Sequence, residues 1–205
     1  MEDTMNSDPM NGGARRRLVL AGAACVASLY AARCAIGAAE ELKPTRSCSA
    51  DHATPPQMEG PFFRPRSPER TSLLETGMSG MHIVISGQVL SQRCQPVPGA
   101  LLDFWQCDSR GDYDNRGSVL RGHQYTDEQG RYRLETIVPG LYPGRTRHIH
   151  VKVQAPNRAI LTTQLYFPDE SRNEQDFLFQ PELLIAQQEV QGGRVGRFDF
   201  VVKVG

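Results

Sequence analysis

The stretch His148-Ile-His-Val-Lys-Val-Gln154 alternates polar and apolar residues along its length. Such alternation is typical of a β-strand, in which successive side chains point to opposite faces of a sheet. The isoleucine and the two valines therefore share one face, which we expect to lie against a core. His148 and His150 share the opposite face, so a single strand presents two imidazoles together.

The chain around this strand has the pattern of an all-β protein. Short apolar runs alternate with turn signals such as Val97-Pro-Gly99 and Pro139-Gly140. This spacing favours an antiparallel β-sandwich with long loops and at most one or two short helices. One helix is predicted at 182–190, with Pro181 in its first turn and Gly192-Gly193 after its end. Seven strands are predicted, at 83–90, 100–106, 124–126, 132–137, 148–154, 160–167 and 198–204.

The N-terminus has a different composition. Arg15-Arg-Arg17 precedes an apolar run at 18–32 and small residues at 35–39, which is the layout of a secretory signal, and the paired arginines resemble a twin-arginine signal. The run is short and low in Leu, Ile and Phe for a membrane span. We therefore predict a signal segment at 1–39, a flexible lead-in at 40–53 and one domain at 54–205. The mature protein would be periplasmic or extracellular, without stable membrane association after removal of the signal.

The charge and the cysteine content narrow the possible functions and the possible disulfide pairings. The chain has 23 basic and 23 acidic side chains and no basic stripe, which argues against binding to nucleic acid. Cys48, Cys94 and Cys107 remain after removal of the signal, and three thiols cannot all pair within the chain. One disulfide with a free thiol and three buried thiols are both compatible with the sequence.

Two tyrosines add to the pair of histidines. Tyr113 follows the run that begins at Asp103, and the turn at Pro139-Gly140 brings Tyr142 back toward the histidine strand. Two phenol oxygens and two imidazoles form a hard oxygen and nitrogen donor set that suits Fe(III). A phenol has an ordinary pKa of about 10, but a trivalent cation favours its deprotonated form.

Each of these residues also has a plain structural interpretation. A pair of histidines on a strand is often exposed or hydrogen-bonded in a core, and single tyrosines more often serve packing than ligation. The joint pattern carries the hypothesis of a metal site.

Five motifs in unbroken order resemble the intradiol ring-cleavage dioxygenases, the family of protocatechuate 3,4-dioxygenase and catechol 1,2-dioxygenase. The likeness extends from about Thr54 to Phe167. The motifs are Thr54-Pro-Pro-Gln-Met-Glu-Gly-Pro-Phe-Phe63, Trp105-Gln-Cys-Asp-Ser-Arg-Gly-Asp-Tyr113, Pro139-Gly-Leu-Tyr-Pro143, Arg145-Thr-Arg-His-Ile-His150 and Thr163-Gln-Leu-Tyr-Phe167.

The resemblance implies a β-sandwich enzyme with a non-haem Fe(3+) cofactor held by Tyr113, Tyr142, His148 and His150. It implies a catechol-type substrate and O2, with the ring opened between its two hydroxylated carbons to give a muconate-type diacid. Tyr142 would leave the metal and accept a substrate proton. Arg145 and Gln164 would lie beside the substrate, where a guanidinium stabilises developing negative charge. Arg147 competes for this role, but Arg145 has the spacing to His148 that the family keeps.

The chain also departs from the family. The segment from Tyr142 to Arg145 is shorter than in its classical members, which leads us to expect a more open pocket. The long helical dimerisation region of the catechol branch has no counterpart, so the oligomeric state stays open, with a monomer as one alternative.

Two other classes of protein share part of this pattern. A non-catalytic, transthyretin-like binding module would share the strand pattern but has no need for the tyrosines and histidines together. A zinc or copper hydrolase or oxidase would use His148 and His150, but the sequence offers no obvious third histidine or acidic base at suitable spacing.

Overall fold

The computed structural model describes Leu42, Cys48 and residues 52–204. The predicted signal at 1–39 and most of the predicted lead-in at 40–53 lie outside the described residues. Within the described part of the chain, no helix is long and apolar enough to cross a bilayer.

The described chain forms nine strands and two single-turn 3-10 helices. The 3-10 helices are Asn173–Gln175 and Pro181–Leu183, so the prediction of an all-β fold with at most two short helices is confirmed. The strands are β1 His82–Ser91, β2 Leu101–Trp105, β3 Arg121–Tyr125, β4 Arg131–Ile137, β5 His148–Gln154, β6 Leu161–Tyr166, β7 Ala186–Val190, β8 Gly193–Arg197 and β9 Phe200–Val202.

The strands form two sheets around one core. The first sheet has the order β4-β1-β8-β7, with β9 pairing the far half of β1, and the second has the order β3-β2-β5-β6. Most pairs are antiparallel, but β8 and β9 run parallel to β1. Apolar side chains from both sheets, including Ile85, Phe104 and Val151, form a single buried cluster. The predicted β-sandwich is therefore confirmed.

The alternation that predicted β5 has the expected physical cause. Ile149, Val151 and Val153 are fully buried in the apolar cluster. His148 and His150 point to the other side of the second sheet. The same strand thus serves the core with one face and a polar layer with the other.

The helix predicted at 182–190 is wrong. Only Pro181–Leu183 forms a turn, and Ala186–Val190 is a strand that pairs antiparallel with Gly193–Arg197. Of the two glycines interpreted as a helix end, Gly192 instead lies in a hairpin turn with a φ of +88°, and Gly193 begins β8. Ladder hydrogen bonds with β8, a strand that was not predicted, outweigh the weak helix preference of this stretch.

Two of the three cysteines of the described domain are joined. Cys48 and Cys94 form a disulfide with a Cα–Cα distance of 5.5 Å, which ties the lead-in to the turn after β1. Cys107 is a buried free thiol, and burial raises its pKa to about 11. The sequence alone left this pairing open.

Candidate metal centre

The outer face of the second sheet carries a row of four side chains in register. Arg121 on β3 pairs with Trp105 on β2, which pairs in turn with His150 on β5. Gln164 on β6 lies opposite His150 on its other side. Strand pairing therefore brings together residues that are far apart in the sequence.

Residues 54–70, called the strap below, cover this face. Near its start, the backbone N–H and the hydroxyl of Thr54 hydrogen-bond the carbonyl and N–H of Val201 at 2.9 and 2.8 Å. Further along, the carbonyl of Met58 accepts a bond from Gln164 Nε2 at 3.1 Å. Phe62 and Phe63 of the strap contact the site, since the Phe62 ring stacks on Tyr113 and the Phe63 ring lies edge-on to Trp105.

Both predicted histidines are buried under the strap and lie next to each other. Their ring centroids are 4.8 Å apart. His148 Nδ1 lies 2.7 Å from the carbonyl of Thr146, which can only accept, so this nitrogen carries the proton and Nε2 keeps a free lone pair. Burial lowers the pKa of His148 to about 4 and holds the pKa of His150 well below its usual range. Both imidazoles are therefore neutral at pH 7, the form that binds a metal ion.

Tyr113 points at this pair of imidazoles. Its hydroxyl lies 3.3 Å from His148 Nε2, the nitrogen with the free lone pair. Its ring stacks on Phe62 of the strap, with centroids 4.2 Å apart and planes 10° apart. Burial raises the pKa of the Tyr113 phenol above its ordinary range, so the phenol stays neutral until a cation approaches.

Tyr142 reaches the cluster from the loop between β4 and β5. Its ring lies edge-on to Tyr113, with centroids 5.8 Å apart. The loops that carry the two tyrosines pack backbone against backbone, because a Cβ at Gly111 would overlap the carbonyl of Leu141 and a Cβ at Gly140 would overlap the backbone at Gly111. The two glycines allow this approach, and the N–H of Gly140 also donates to the carbonyl of Asp108 at 2.8 Å.

The four predicted ligands thus form one cluster, whose chemistry fits a ferric ion. Within the described part of the chain, no three side chains drawn from His, Cys, Asp and Glu converge as a metal site. Tyr113 and Tyr142 are the phenols that lie beside the two histidines. His150 Nδ1 is buried and has no hydrogen-bond partner among the described residues, so no hydrogen bond to this nitrogen fixes the orientation of the ring.

Arg145 lies in a network beside the cluster. Its Nε donates to the buried carboxylate of Asp176 at 2.8 Å, and its Nη2 donates to Gln164 Oε1 at 2.7 Å. The hydroxyl of Tyr166 lies 3.3 Å from the same Nη2. The guanidinium is thus held on two sides, next to the residue that lies opposite His150 in the sheet.

Arg147, the competing arginine, belongs to a different neighbourhood. Its Nε donates to Glu170 at 2.7 Å and its Nη1 donates to the carbonyl of Pro139 at 2.6 Å. Arg145 therefore lies beside the cluster of predicted ligands, and Arg147 supports the loop that follows β4.

Sequence reasoning missed three residues around this cluster. Asp176 stands outside every motif, although it fixes Arg145 and also accepts the N–H of Thr146 at 2.9 Å. Trp105 belongs to a quoted motif, but its stacking on His150 was not anticipated. Arg121 is the first residue of β3, and its side chain is buried. Nothing in the local sequence indicates that this arginine is buried.

Comparisons with known proteins agree on one family. The family model described as Dioxygenase matches residues 58–203. The chain is 28% identical over 181 residues to chlorocatechol 1,2-dioxygenase of Pseudomonas sp. (strain P51), which covers 75% of this chain and 72% of that protein.

Two solved structures are similar as well. The dioxygenase domain of a dioxygenase carbohydrate-binding protein fusion from the cellulolytic bacterium Streptomyces sp. SirexAA-E is 56% identical, covers 75% of this chain and 100% of that one, and gives a TM-score of 0.74. The 3-chlorocatechol 1,2-dioxygenase of Rhodococcus opacus 1CP is 27% identical, covers 74% of each chain and gives a TM-score of 0.68.

Proposed function

This chain belongs to the intradiol ring-cleavage dioxygenase family, and from that premise we propose that Tyr113, Tyr142, His148 and His150 hold Fe(III). It is an oxidoreductase that opens catechol-type aromatic rings between the two hydroxylated carbons. The observation that carries the assignment of ligands is the convergence of two phenols and two neutral imidazoles on one face of the second sheet.

The charges of the ligand set suit a trivalent ion. Two phenolates offset two of its three positive charges, and the buried site favours a pair of neutral imidazoles over charged ones. When bound, a ferric ion supplies Lewis acidity and covalency with the catechol oxygens, which makes the ring reactive toward O2.

The remaining steps fall to groups of the protein. His148 and His150 are 2% and 3% exposed, whereas Tyr113 and Tyr142 are both partly exposed. The hydroxyl of Tyr113 contacts His148 and its ring stacks on Phe62, so Tyr142 is the ligand better placed to leave and to accept a catechol proton. Arg145 holds a fixed positive charge, because Asp176 and Gln164 restrain its guanidinium. Such a charge stabilises negative charge that develops on the substrate ring and its oxygens.

The strap excludes water from one side of this site. Phe62 covers Tyr113, and Met58 hydrogen-bonds Gln164 through its backbone. A dry, low-dielectric surrounding strengthens the effect of the guanidinium on the substrate. We infer that the substrate lies between Arg145 and the four ligands, on the side that the strap leaves open.

We also propose that the protein acts outside the cytoplasm. The twin-arginine-like segment at 15–17 supports export, and the Cys48–Cys94 disulfide suits an oxidising compartment. Fractionation of the native cell, with the active protein located by immunoblot, tests this proposal, and activity confined to the cytoplasm would contradict it.

One experiment tests the enzymatic proposal directly. The purified protein is reconstituted with Fe(III), and a phenolate-to-iron charge-transfer band is expected in the visible spectrum. Anaerobic addition of a panel of catechols should change that band, and O2 should then yield diacids with one O2 consumed per ring. A preparation that stays colourless would refute the ferric site, and catechol binding without ring opening would refute the catalysis.

A further inference from the structure

We propose that Arg121 is a positioning residue for Tyr113, because its buried guanidinium fastens together the two backbone segments that enclose the Tyr113 ring. The inference rests on the proposed function, in which Tyr113 is a ligand of Fe(III). It assigns to Arg121 a role distinct from that of Arg145, which lies beside the substrate.

Among the described residues, the side-chain hydrogen bonds of Arg121 all go to backbone carbonyls. Its Nε and Nη2 donate to the carbonyl of Asp114 at 3.2 and 2.8 Å, and its Nη1 donates to the carbonyl of Phe62 at 2.8 Å. Arg121 is 2% exposed. One planar fork therefore joins the loop after Tyr113 to the strap.

These two acceptors flank the Tyr113 ring. Asp114 is the residue that follows Tyr113, and the Phe62 ring lies parallel to the Tyr113 ring at 4.2 Å. The hydroxyl of the same ring lies 3.3 Å from His148 Nε2. Release of either carbonyl would let the Phe62 ring or the Tyr113 backbone move, and the phenol oxygen would lose its fixed position.

The cost of burying this guanidinium argues that it does more than stabilise the fold. Among the described residues, no carboxylate forms an ion pair with Arg121. The nearby Asp114 carboxylate instead accepts N–H groups of its own loop, from Arg116, Gly117 and Val119. A buried charge without an ionic partner is expensive, and three hydrogen bonds to two neutral carbonyls offset that cost only in part.

The chain contains a reporter for this arrangement. Trp105, the single tryptophan of the sequence, pairs with Arg121 across β2 and β3 and stacks on His150. Its fluorescence therefore arises beside the proposed ligands, and iron binding should quench it.

The test compares R121M and R121K with R116M. Arg116 belongs to the same loop, but its side chain is exposed and forms no hydrogen bond or ion pair within the part of the chain that the structure describes, so R116M is a matched control. Chelator-buffered Fe(III) is titrated into each metal-free protein while the Trp105 fluorescence and the phenolate-to-iron band are recorded. R121M should bind Fe(III) roughly 10- to 100-fold more weakly and shift the band, in line with other residues that orient metal ligands. R121K should lie in between, because lysine keeps the charge but not the fork.

A second measurement needs no metal. Hydrogen exchange of the metal-free proteins should be faster in R121M at 60–64 and at 113–119, while the amides of β5 keep their wild-type rates. If R121M does not fold, R121K provides the same comparison, because lysine keeps the positive charge at this position but lacks the planar fork.

The outcomes separate this inference from the proposed function. Wild-type affinity, an unshifted band and unchanged exchange in R121M would overturn the role of Arg121. If wild-type protein gives no ferric band but R121M still exchanges faster at both segments, the proposed function is refuted, while the role of Arg121 in positioning Tyr113 is supported.

Discussion

The indole ring of Trp105 lies parallel to the imidazole of His150, with centroids 4.8 Å apart and planes 6° apart. His148 is oriented by a hydrogen bond to the carbonyl of Thr146, whereas His150 Nδ1 has no such partner among the described residues. Metal-binding histidines are usually oriented through their second nitrogen. Stacking on Trp105 therefore orients the His150 ring, as the hydrogen bond to Thr146 orients the His148 ring.

Replacing Trp105 should loosen the His150 ring. We expect W105L to weaken Fe(III) binding about 10-fold or more and W105F to weaken it less, because phenylalanine keeps a flat surface against the imidazole. Competition with a coloured iron chelator measures the affinity without tryptophan fluorescence. Equal affinities for W105L and W105F would show that the flat contact does not orient His150.

Tyr142 should contribute both to the colour and to the rate. Y142F removes one phenolate, so the charge-transfer band should shift in energy and lose intensity. Turnover should fall by about 10²- to 10⁴-fold, the range for loss of a group that transfers a proton. Y125F is the control, since Tyr125 is 53% exposed on β3. A Y142F enzyme with wild-type spectrum and rate would remove Tyr142 from the ligand set.

Asp176 should matter through Arg145. In D176N the Arg145 guanidinium loses its ionic partner, and we expect kcat/KM to fall about 100-fold through misplacement of the guanidinium. E170Q is the matched control, because Glu170 pairs with Arg147 of the same segment. A similar loss in both variants would point to general destabilisation of the segment, which urea unfolding would reveal.

The metal-free protein should lose stability in mild acid. The folded-state pKa of His148 is about 4, below its ordinary 6.5, so between these values the unfolded chain binds a proton that the native state does not. The stability is fully present above pH 6.5 and falls as the pH drops toward 4, by roughly 3 kcal/mol for this residue alone. His150 acts in the same direction. Urea unfolding of metal-free wild type and H148N across this window checks the prediction, and H148N should show a shallower slope.

Reduction of the disulfide should destabilise the domain. Cys48 and Cys94 are separated by 46 positions, and the chain-entropy estimate for such a loop is about 4 kcal/mol. Thermal unfolding with and without reductant measures the effect. The C48S/C94S double variant should match reduced wild type and should not respond to reductant, and a response would implicate Cys107.

The sequence predicts a structural feature well when neighbouring residues determine that feature, and poorly when distant residues do. The bounds of β5 were predicted to the residue, because alternation between core and polar face is written in consecutive positions. The helix prediction for 182–190 was wrong because pairing with β8, and not the segment's own residues, decides its conformation.

The same distinction holds at the site. The four proposed ligands could be named from motifs, and the structure brings them together. The residues that orient them could not, since Arg121 reaches Phe62 across 59 positions and Arg145 reaches Asp176 across 31. Such contacts arise from packing between distant segments, which no local pattern encodes.

Ile149 lies between the two histidines and fills the core, so the backbone positions of His148 and His150 are one repeat of the pleat apart. A single-residue insertion or deletion between the two histidines would place them on opposite faces of the sheet and turn one imidazole toward the apolar interior. During divergence, this strand can therefore tolerate length changes only in pairs, and relatives with altered spacing there should have lost the metal and kept at most the sandwich.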